Sequence, residues 1–123
     1  MKLTNKEIYV YASNLLAEFN ESKELKLPIK LNFYLQKNIQ VLQKLAVEIE
    51  NNRLNILKEY GTKDESENTY IVPDDKIAIV NKELNDLFDL EQEVQIYTVS
   101  IDALGDELSL TMKQMEALMF MID

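Results

Sequence analysis

The side chains of this chain that could support chemistry are carboxylates, tyrosines and a single arginine. The sequence contains no histidine and no cysteine. This excludes imidazole bases, Ser-His and Cys-His nucleophiles, thiolate ligands and the usual zinc sites. The segment DALGDE lacks the ligand period and the final glutamate of a calcium loop. We therefore expect a protein that is not an enzyme, with no catalytic residue, no cofactor and no metal site.

Arg53 interrupts the apolar stripe of a long predicted helix. The other stripe positions, spaced by three and four residues, are Ile39, Leu42, Ala46, Ile49, Ile56 and Tyr60. A guanidinium presents five donors in a fixed fork, so Arg53 could anchor an acidic group of a partner. The more common arrangements are an internal ion pair, here with a carboxylate of a facing helix such as Glu83 or Asp86, and a side chain whose charged head reaches solvent. If that pair is buried, removing Arg53 should cost ~3 kcal/mol.

Acidic residues are concentrated in the second half of the chain. Residues 1–60 carry nine basic and seven acidic side chains, and residues 61–123 carry four and fifteen, so +2 and −11 make up the net charge of −9. Such a half repels phosphates, and we expect no direct nucleic-acid binding. The candidate partner-binding acids are Glu83, Asp86, Asp89, Glu93, Asp102, Asp106 and Glu107. The alternative is a solvated helix face.

The C-terminal segment MEALMFMI is apolar on almost every side of a predicted helix. Methionine-rich faces usually fill a core, and some of them bind partners. The candidate oligomer interface consists of Met115, Leu118, Met119 and Ile122.

Tyrosines in the helical half of the chain could stack on a nucleotide base. They are Tyr9, Tyr11, Tyr34 and Tyr60. The chain has two glycines, Gly61 and Gly105, and so no glycine-rich phosphate loop. Because this loop is lacking, binding of a nucleotide signal ranks third among our functional hypotheses, behind two hypotheses of protein binding.

Two helices are predicted in the first half of the chain. Thr4 and Glu7 form a capping box that opens a helix from Asn5 to Phe19. Pro28 precedes a helix from Leu31 to Tyr60, about 45 Å long. Gly61 would end this helix as a left-handed cap.

The second half is predicted to mix strands and helices. Thr69–Val72 and Val94–Ile101 are rich in β-branched and aromatic residues and are expected to pair with each other. Between them, Asp74 or Asp75 caps a third helix. The core face of this helix is predicted to comprise Ile77, Val80, Leu84, Leu87, Phe88 and Glu91. Thr111 and Gln114 form a second capping box before the last helix.

The predicted fold class is mainly α (α+β), in one domain spanning residues 1–123. It consists of a long helical hairpin with flanking N- and C-terminal helices and a small two-stranded sheet. The excess length of the second helix and the apolar C-terminus favour a homo-oligomer, most simply a dimer. No apolar run approaches the ~18 residues that span a membrane, and MKLTNKEI lacks a signal-peptide core. We expect a cytoplasmic protein with no membrane partner.

Five blocks of the sequence, taken together, are informative about kinship. They are KLTNKEI, LPIKLNFYLQKN, KEYG, NKELNDLFDLEQEVQIYTVSID and LTMKQMEALMFMI. These blocks resemble a family of small, uncharacterised phage and prophage proteins of Gram-positive bacteria. These blocks contain packing and capping residues, so the resemblance implies a context and no catalytic residue. The context is a phage protein that acts inside a bacterial cell or in a virion.

Kinship with phage proteins, small size and the acidic half together suggest a function. The leading hypothesis is a non-enzymatic inhibitor that binds a bacterial protein in the host cytoplasm, with a defence nuclease or another nucleic-acid enzyme as the target (an anti-defence, anti-CRISPR-like role). The alternative is a structural or tail-assembly component of the virion. Either hypothesis makes a host or phage protein the partner.

Overall fold

A computed structural model describes residues 1–19, 26–66, 69–105 and 108–123. Within these residues the fold is mainly α, as the sequence predicts, but it contains two small antiparallel sheets where the sequence predicts one. The helices are α1 (Asn5–Phe19), α2 (Ile29–Tyr60), α3 (Ile77–Asp89) and α4 (Met112–Leu118). The strands are β1 (Lys2–Thr4), β2 (Thr62–Asp64), β3 (Thr69–Ile71) and β4 (Glu91–Glu93). Short 3₁₀ turns occupy Asp74–Lys76, Ile101–Leu104 and Met119–Met121.

The bounds of α1 and its capping box are confirmed. The backbone N–H of Glu7 donates to Thr4 Oγ1 at 3.1 Å, and the backbone N–H of Thr4 donates to Glu7 Oε1 at 2.9 Å. This reciprocal pair satisfies amide groups that the first helical turn leaves without partners. The second capping box is also present, since Thr111 and Gln114 bond to each other's backbone at the start of α4.

Helix α2 is confirmed as the longest element, and its 32 residues span about 48 Å. It ends at Tyr60 as predicted and begins at Ile29, two residues before the predicted Leu31, but the cap at Gly61 differs from the prediction. Gly61 has φ −120° and ψ 173°, an extended conformation and not a left-handed cap. A Cβ at this position would lie 2.9 Å from the carbonyl oxygens of Leu57 and Ile71. Glycine is therefore needed for the close approach of two backbones.

Helices α2 and α3 form the predicted hairpin. Glu83, in the middle of α3, meets Tyr60 at the C-terminal end of α2. Phe88, near the end of α3, packs edge-on against Tyr9, whose hydroxyl donates to Glu50 of α2. As α3 advances it thus runs back along α2, which makes the pair antiparallel. Helix α1 packs along α2, and α4 packs against α1.

The expected cap and core face of α3 need correction. Asp74 and Asp75 lie in a 3₁₀ turn, and no side chain caps α3. Val80 is buried as predicted, whereas Ile77 is 43% exposed. Glu91 is in β4 and not in the helix.

The predicted pairing of the strands is wrong. β3 pairs with β2 in a hairpin just after α2, and β4 pairs with β1, which immediately precedes α1. Residues 94–100 form no ladder, apart from one parallel bridge between Val99 and Ile122, and Ile101 already belongs to a 3₁₀ turn. The β-propensity of this segment is real, but other groups satisfy its backbone.

The side chain of Asn38 makes hydrogen bonds to the backbone of that segment which a neighbouring strand would otherwise make. It is completely buried in α2. Its side chain accepts from the Tyr97 N–H at 2.8 Å and donates to the Tyr97 carbonyl at 2.9 Å. Asn5 acts similarly near β4, where it donates to the Leu87 carbonyl and accepts from Gln92. Two buried amides thus anchor the chain between α3 and α4.

Candidate functional site

The acids that the sequence singles out are divided among three elements. Glu83, Asp86 and Asp89 lie on α3, and Glu93 lies on β4. Asp102 lies in the 3₁₀ turn after the extended segment, while Asp106 and Glu107 lie outside the described residues. The acids that share one helix are therefore those of α3, and these form the candidate protein-binding surface.

One flank of α3 combines carboxylates with exposed apolar side chains. Ile79, Glu83, Asp86 and Leu90 follow each other at steps of four, three and four residues, which places them on one side of the helix and its end. Ile79 and Leu90 are 42% and 59% exposed. We call these four residues the acidic stripe. Ile79 and Leu90 are not among the site residues predicted from the sequence, although the spacing of the acids along the helix, continued by four residues in each direction, includes them.

Internal contacts orient the two carboxylates of the acidic stripe. The Tyr60 hydroxyl donates to Glu83 Oε1 at 3.0 Å, and this bond raises the pKa of Tyr60. Lys82 donates to Asp86 at 3.0 Å, but both side chains are about two-thirds or more exposed. Such an exposed pair contributes little and exchanges readily with a partner's cation. The acidic stripe is therefore a partly pre-organised anionic surface with apolar ends.

Arg53 pairs within its own helix, and the expected pair with Glu83 or Asp86 is not present. Its Nε donates to Glu50 Oε2 at 3.0 Å, and a second bond joins Nη2 to Oε1. The fork from Arg53 lowers the pKa of Glu50, and the carboxylate raises the pKa of Arg53. The spacing of three residues explains the choice, because it brings both side chains to neighbouring positions on α2.

We expect Arg53→Ala to lower the free energy of unfolding by less than about 1 kcal/mol, because about one third of each side chain is exposed. This replaces the larger loss expected for a buried pair. The pKa of Glu50 is lower in the folded state than its unfolded value of about 4.3. The contribution of the pair to stability is therefore present above the unfolded pKa and is lost as the pH falls through the folded-state pKa. Chemical denaturation at pH 7 and pH 3 measures both effects. A loss of 3 kcal/mol at pH 7 would contradict the exposed geometry.

Two of the four candidate tyrosines stack on other aromatic side chains of the fold, and Tyr9 packs edge-on against Phe88. Tyr11 stacks on Phe120 at 4.5 Å between ring centroids, and Tyr34 stacks on Tyr97 at 5.3 Å. A shallow cleft of about 230 Å³ between α1 and α2 is lined in part by Tyr9 and Glu50. The Glu50 carboxylate would repel a phosphate there. These contacts give the nucleotide hypothesis no support.

The C-terminal residues divide between core and surface. Leu118 and Met121 are completely buried, whereas Met112 and Met119 are 77% and 61% exposed. Met115 and Ile122 are half-buried. Leu118 therefore packs inside the chain and is not available to a second copy. Of the four candidate interface residues, Met119 is the one with a largely free side chain.

Comparison with known proteins identified no relative of this chain. No family model, no curated protein and no solved structure matches the chain. Among the described residues, no helix combines the length and hydropathy that crossing a bilayer requires. Within the same described part of the chain, no three carboxylates lie close enough together to bind a metal ion.

Proposed function

We propose that this chain is a non-enzymatic, phage-encoded protein that binds and inhibits a bacterial protein. The observation that supports the proposal is the acidic stripe of α3. It joins two exposed apolar side chains with two carboxylates on one side of α3 and the residue that follows it. Apolar side chains provide contact area that excludes water, and charges between them provide orientation and a fast association rate.

The charge of the stripe favours one class of target. A basic surface built to hold phosphates attracts carboxylates that are held at fixed positions on a helix. Asp89, on the same helix, adds to this negative potential. We therefore propose a nucleic-acid enzyme, such as a defence nuclease, as the target in the host cytoplasm. Occupation of its nucleic-acid site by α3 would inhibit the enzyme without any chemistry on the part of this chain.

Neutralising the α3 acids should weaken binding to the target. In the triple variant Glu83→Gln, Asp86→Asn and Asp89→Asn we expect affinity to fall by about tenfold or more, mainly through a slower association rate. The dependence of affinity on salt should also become flatter. Glu83→Gln keeps an acceptor for the Tyr60 hydroxyl, so the fold is preserved. Surface plasmon resonance at two salt concentrations against the captured target measures these changes.

A matched variant controls for the change of net charge. Glu48, Glu65 and Glu116 are exposed and lie on other parts of the surface. Changing all three to glutamine alters the net charge equally and should leave affinity nearly unchanged. Equal losses in the two triple variants, or no loss in either, would remove the acidic stripe from the account.

A second candidate function is a structural or tail-assembly component of the virion. The exposed Met112 and Met119 near the C-terminus favour it, because assembly contacts between particle subunits are mostly apolar. This function predicts a fixed copy number in purified particles. Mass spectrometry of particles that fails to detect the chain would eliminate it.

A further inference from the structure

The outward side of the N-terminal part of α2 differs in charge from the rest of the molecule. The ten exposed positions from Ile29 to Val47 hold three lysines, four amide side chains and three apolar side chains, and none of them is a carboxylate. The chain as a whole has a net charge of −9. A local surface of opposite sign is therefore available to an acidic group.

Four residues of this side line one sector of α2. They are Phe33, Lys37, Lys44 and Val47, and the exposed, uncharged Gln40 lies between the two lysines. Phe33 and Val47 are each 55% exposed, and Lys37 Nζ lies 5.4 Å from the centroid of the Phe33 ring. We call these four residues the basic stripe.

The basic stripe and the acidic stripe are complementary. Each has an apolar side chain at both ends and two charges of one sign between them. The basic stripe extends over roughly 21 Å and the acidic stripe over roughly 16 Å. The flexible lysine side chains can bridge the difference, since four methylenes carry each ammonium group. Antiparallel packing of the two helices would then place lysines beside carboxylates and cover the exposed apolar ends.

Within one molecule the two stripes are kept apart. The acidic stripe lies at the C-terminal end of α2, where Glu83 meets Tyr60. The basic stripe lies toward the N-terminal end and on the side of α2 opposite the buried Leu35 and Leu42. We propose that the basic stripe of one copy binds the acidic stripe of a second copy. Because the two surfaces differ, the contact is heterologous and every copy offers both halves of it.

A second copy and the bacterial target would compete for the acidic stripe. Purified protein alone tests self-association, so its failure is distinguishable from a failure of the proposed function. Light scattering after gel filtration should give the 14.3 kDa chain mass when the protein is dilute. The mass should rise with concentration at low salt and return toward 14.3 kDa at high salt. A monomer at every concentration in low salt would overturn the proposal.

Charge reversal on each stripe identifies the contact. Lys37→Glu with Lys44→Glu, and separately Glu83→Lys with Asp86→Lys, should each weaken self-association by more than about tenfold, because like charges then face each other. An equimolar mixture of the two variants should associate again, because every contact between unlike copies is then complementary. Self-association that neither variant changes, or a mixture that stays monomeric, would overturn the proposal.

Two further measurements keep the result interpretable if a charge-reversed variant folds poorly. Phe33→Ser leaves charge unchanged at an exposed position and should weaken association while the circular dichroism spectrum stays the same. Binding of an oligonucleotide that Lys37→Glu with Lys44→Glu abolishes, without self-association, would assign the basic stripe to nucleic acid instead of a second copy.

Discussion

Asn38→Ala should lower the free energy of unfolding by about 3 kcal/mol, which corresponds to a fall in melting temperature of roughly 10 °C. The side chain is completely buried and holds both the N–H and the carbonyl of Tyr97. Alanine would leave the part-buried N–H and carbonyl of Tyr97 without this partner, each at a cost toward the lower part of a range of about 1–3 kcal/mol. It would also leave a cavity at a fully buried position. Thermal and chemical denaturation measure the loss.

A control on the same helix separates this effect from helix propensity. Asn51 is exposed, and Asn51→Ala should change stability by no more than about 0.5 kcal/mol. A loss for Asn38→Ala as small as that for Asn51→Ala would contradict the role of Asn38 as a substitute strand.

Asn38→Asp adds a test that depends on pH. One carboxyl oxygen can still accept from the Tyr97 N–H, but the other then faces the Tyr97 carbonyl oxygen. A proton on the introduced group restores the donor, so its folded-state pKa should lie above the unfolded value of about 3.9. The folded state then binds more protons, and the variant should lose stability as the pH rises from about 4 toward 7. A destabilisation relative to wild type that does not change with pH would contradict the bond to the Tyr97 carbonyl.

Leu118→Ala should also be costly, with an expected loss of about 3 kcal/mol within the range of about 2–5 kcal/mol for buried leucines. The side chain has no exposed surface and lies in the main core. Its removal leaves a cavity between α4 and the rest of the fold. Chemical denaturation of the purified variant measures the loss.

The neighbouring residue provides the matched control. Met119 is 61% exposed, and Met119→Ala should change stability by no more than about 0.5 kcal/mol. If Met119→Ala lowers stability, and more so at high protein concentration, Met119 lies in an interface between copies. Similar losses at Leu118 and Met119 in dilute protein would contradict the division between core and surface.

The helices could be predicted because their signals are local. Each capping box is complete within four residues, and the apolar spacing of α1 and α2 continues over many turns. The fold of a helical hairpin follows from the same periodicity.

The pairing of the strands could not be predicted for two reasons. β1 and β4 are about ninety residues apart and have only three residues each. β2 lies next to β3 in a local hairpin, but its sequence, TKD, contains a lysine and an aspartate, which are depleted in strands. Residues 94–101 have β-propensity, but the Asn38 side chain and the C-terminal residues bond to them instead of a strand. No sequence pattern marks an asparagine as a substitute for a strand.

The candidate site was partly visible in the sequence. The period of the α3 acids indicated one face, and adding Ile79 and Leu90 would have completed the acidic stripe. The predicted partner of Arg53, on the facing helix, is wrong. Arg53 pairs with Glu50, which lies at the ordinary spacing for an ion pair within one helix. The contact between Tyr60 and Glu83 depends on how α3 packs, which the sequence does not determine locally.

The most direct test of the central claim is affinity capture from the lysate of phage-infected bacteria. Tagged wild-type protein, the acidic-stripe triple variant and the matched triple variant would be compared by mass spectrometry at low and high salt. We predict one bacterial protein that wild type and the matched variant retain at low salt, that high salt releases, and that the acidic-stripe variant does not retain. Recovery of particle proteins, insensitive to salt and equal for all three baits, would contradict the inhibitor and assign the chain to the virion.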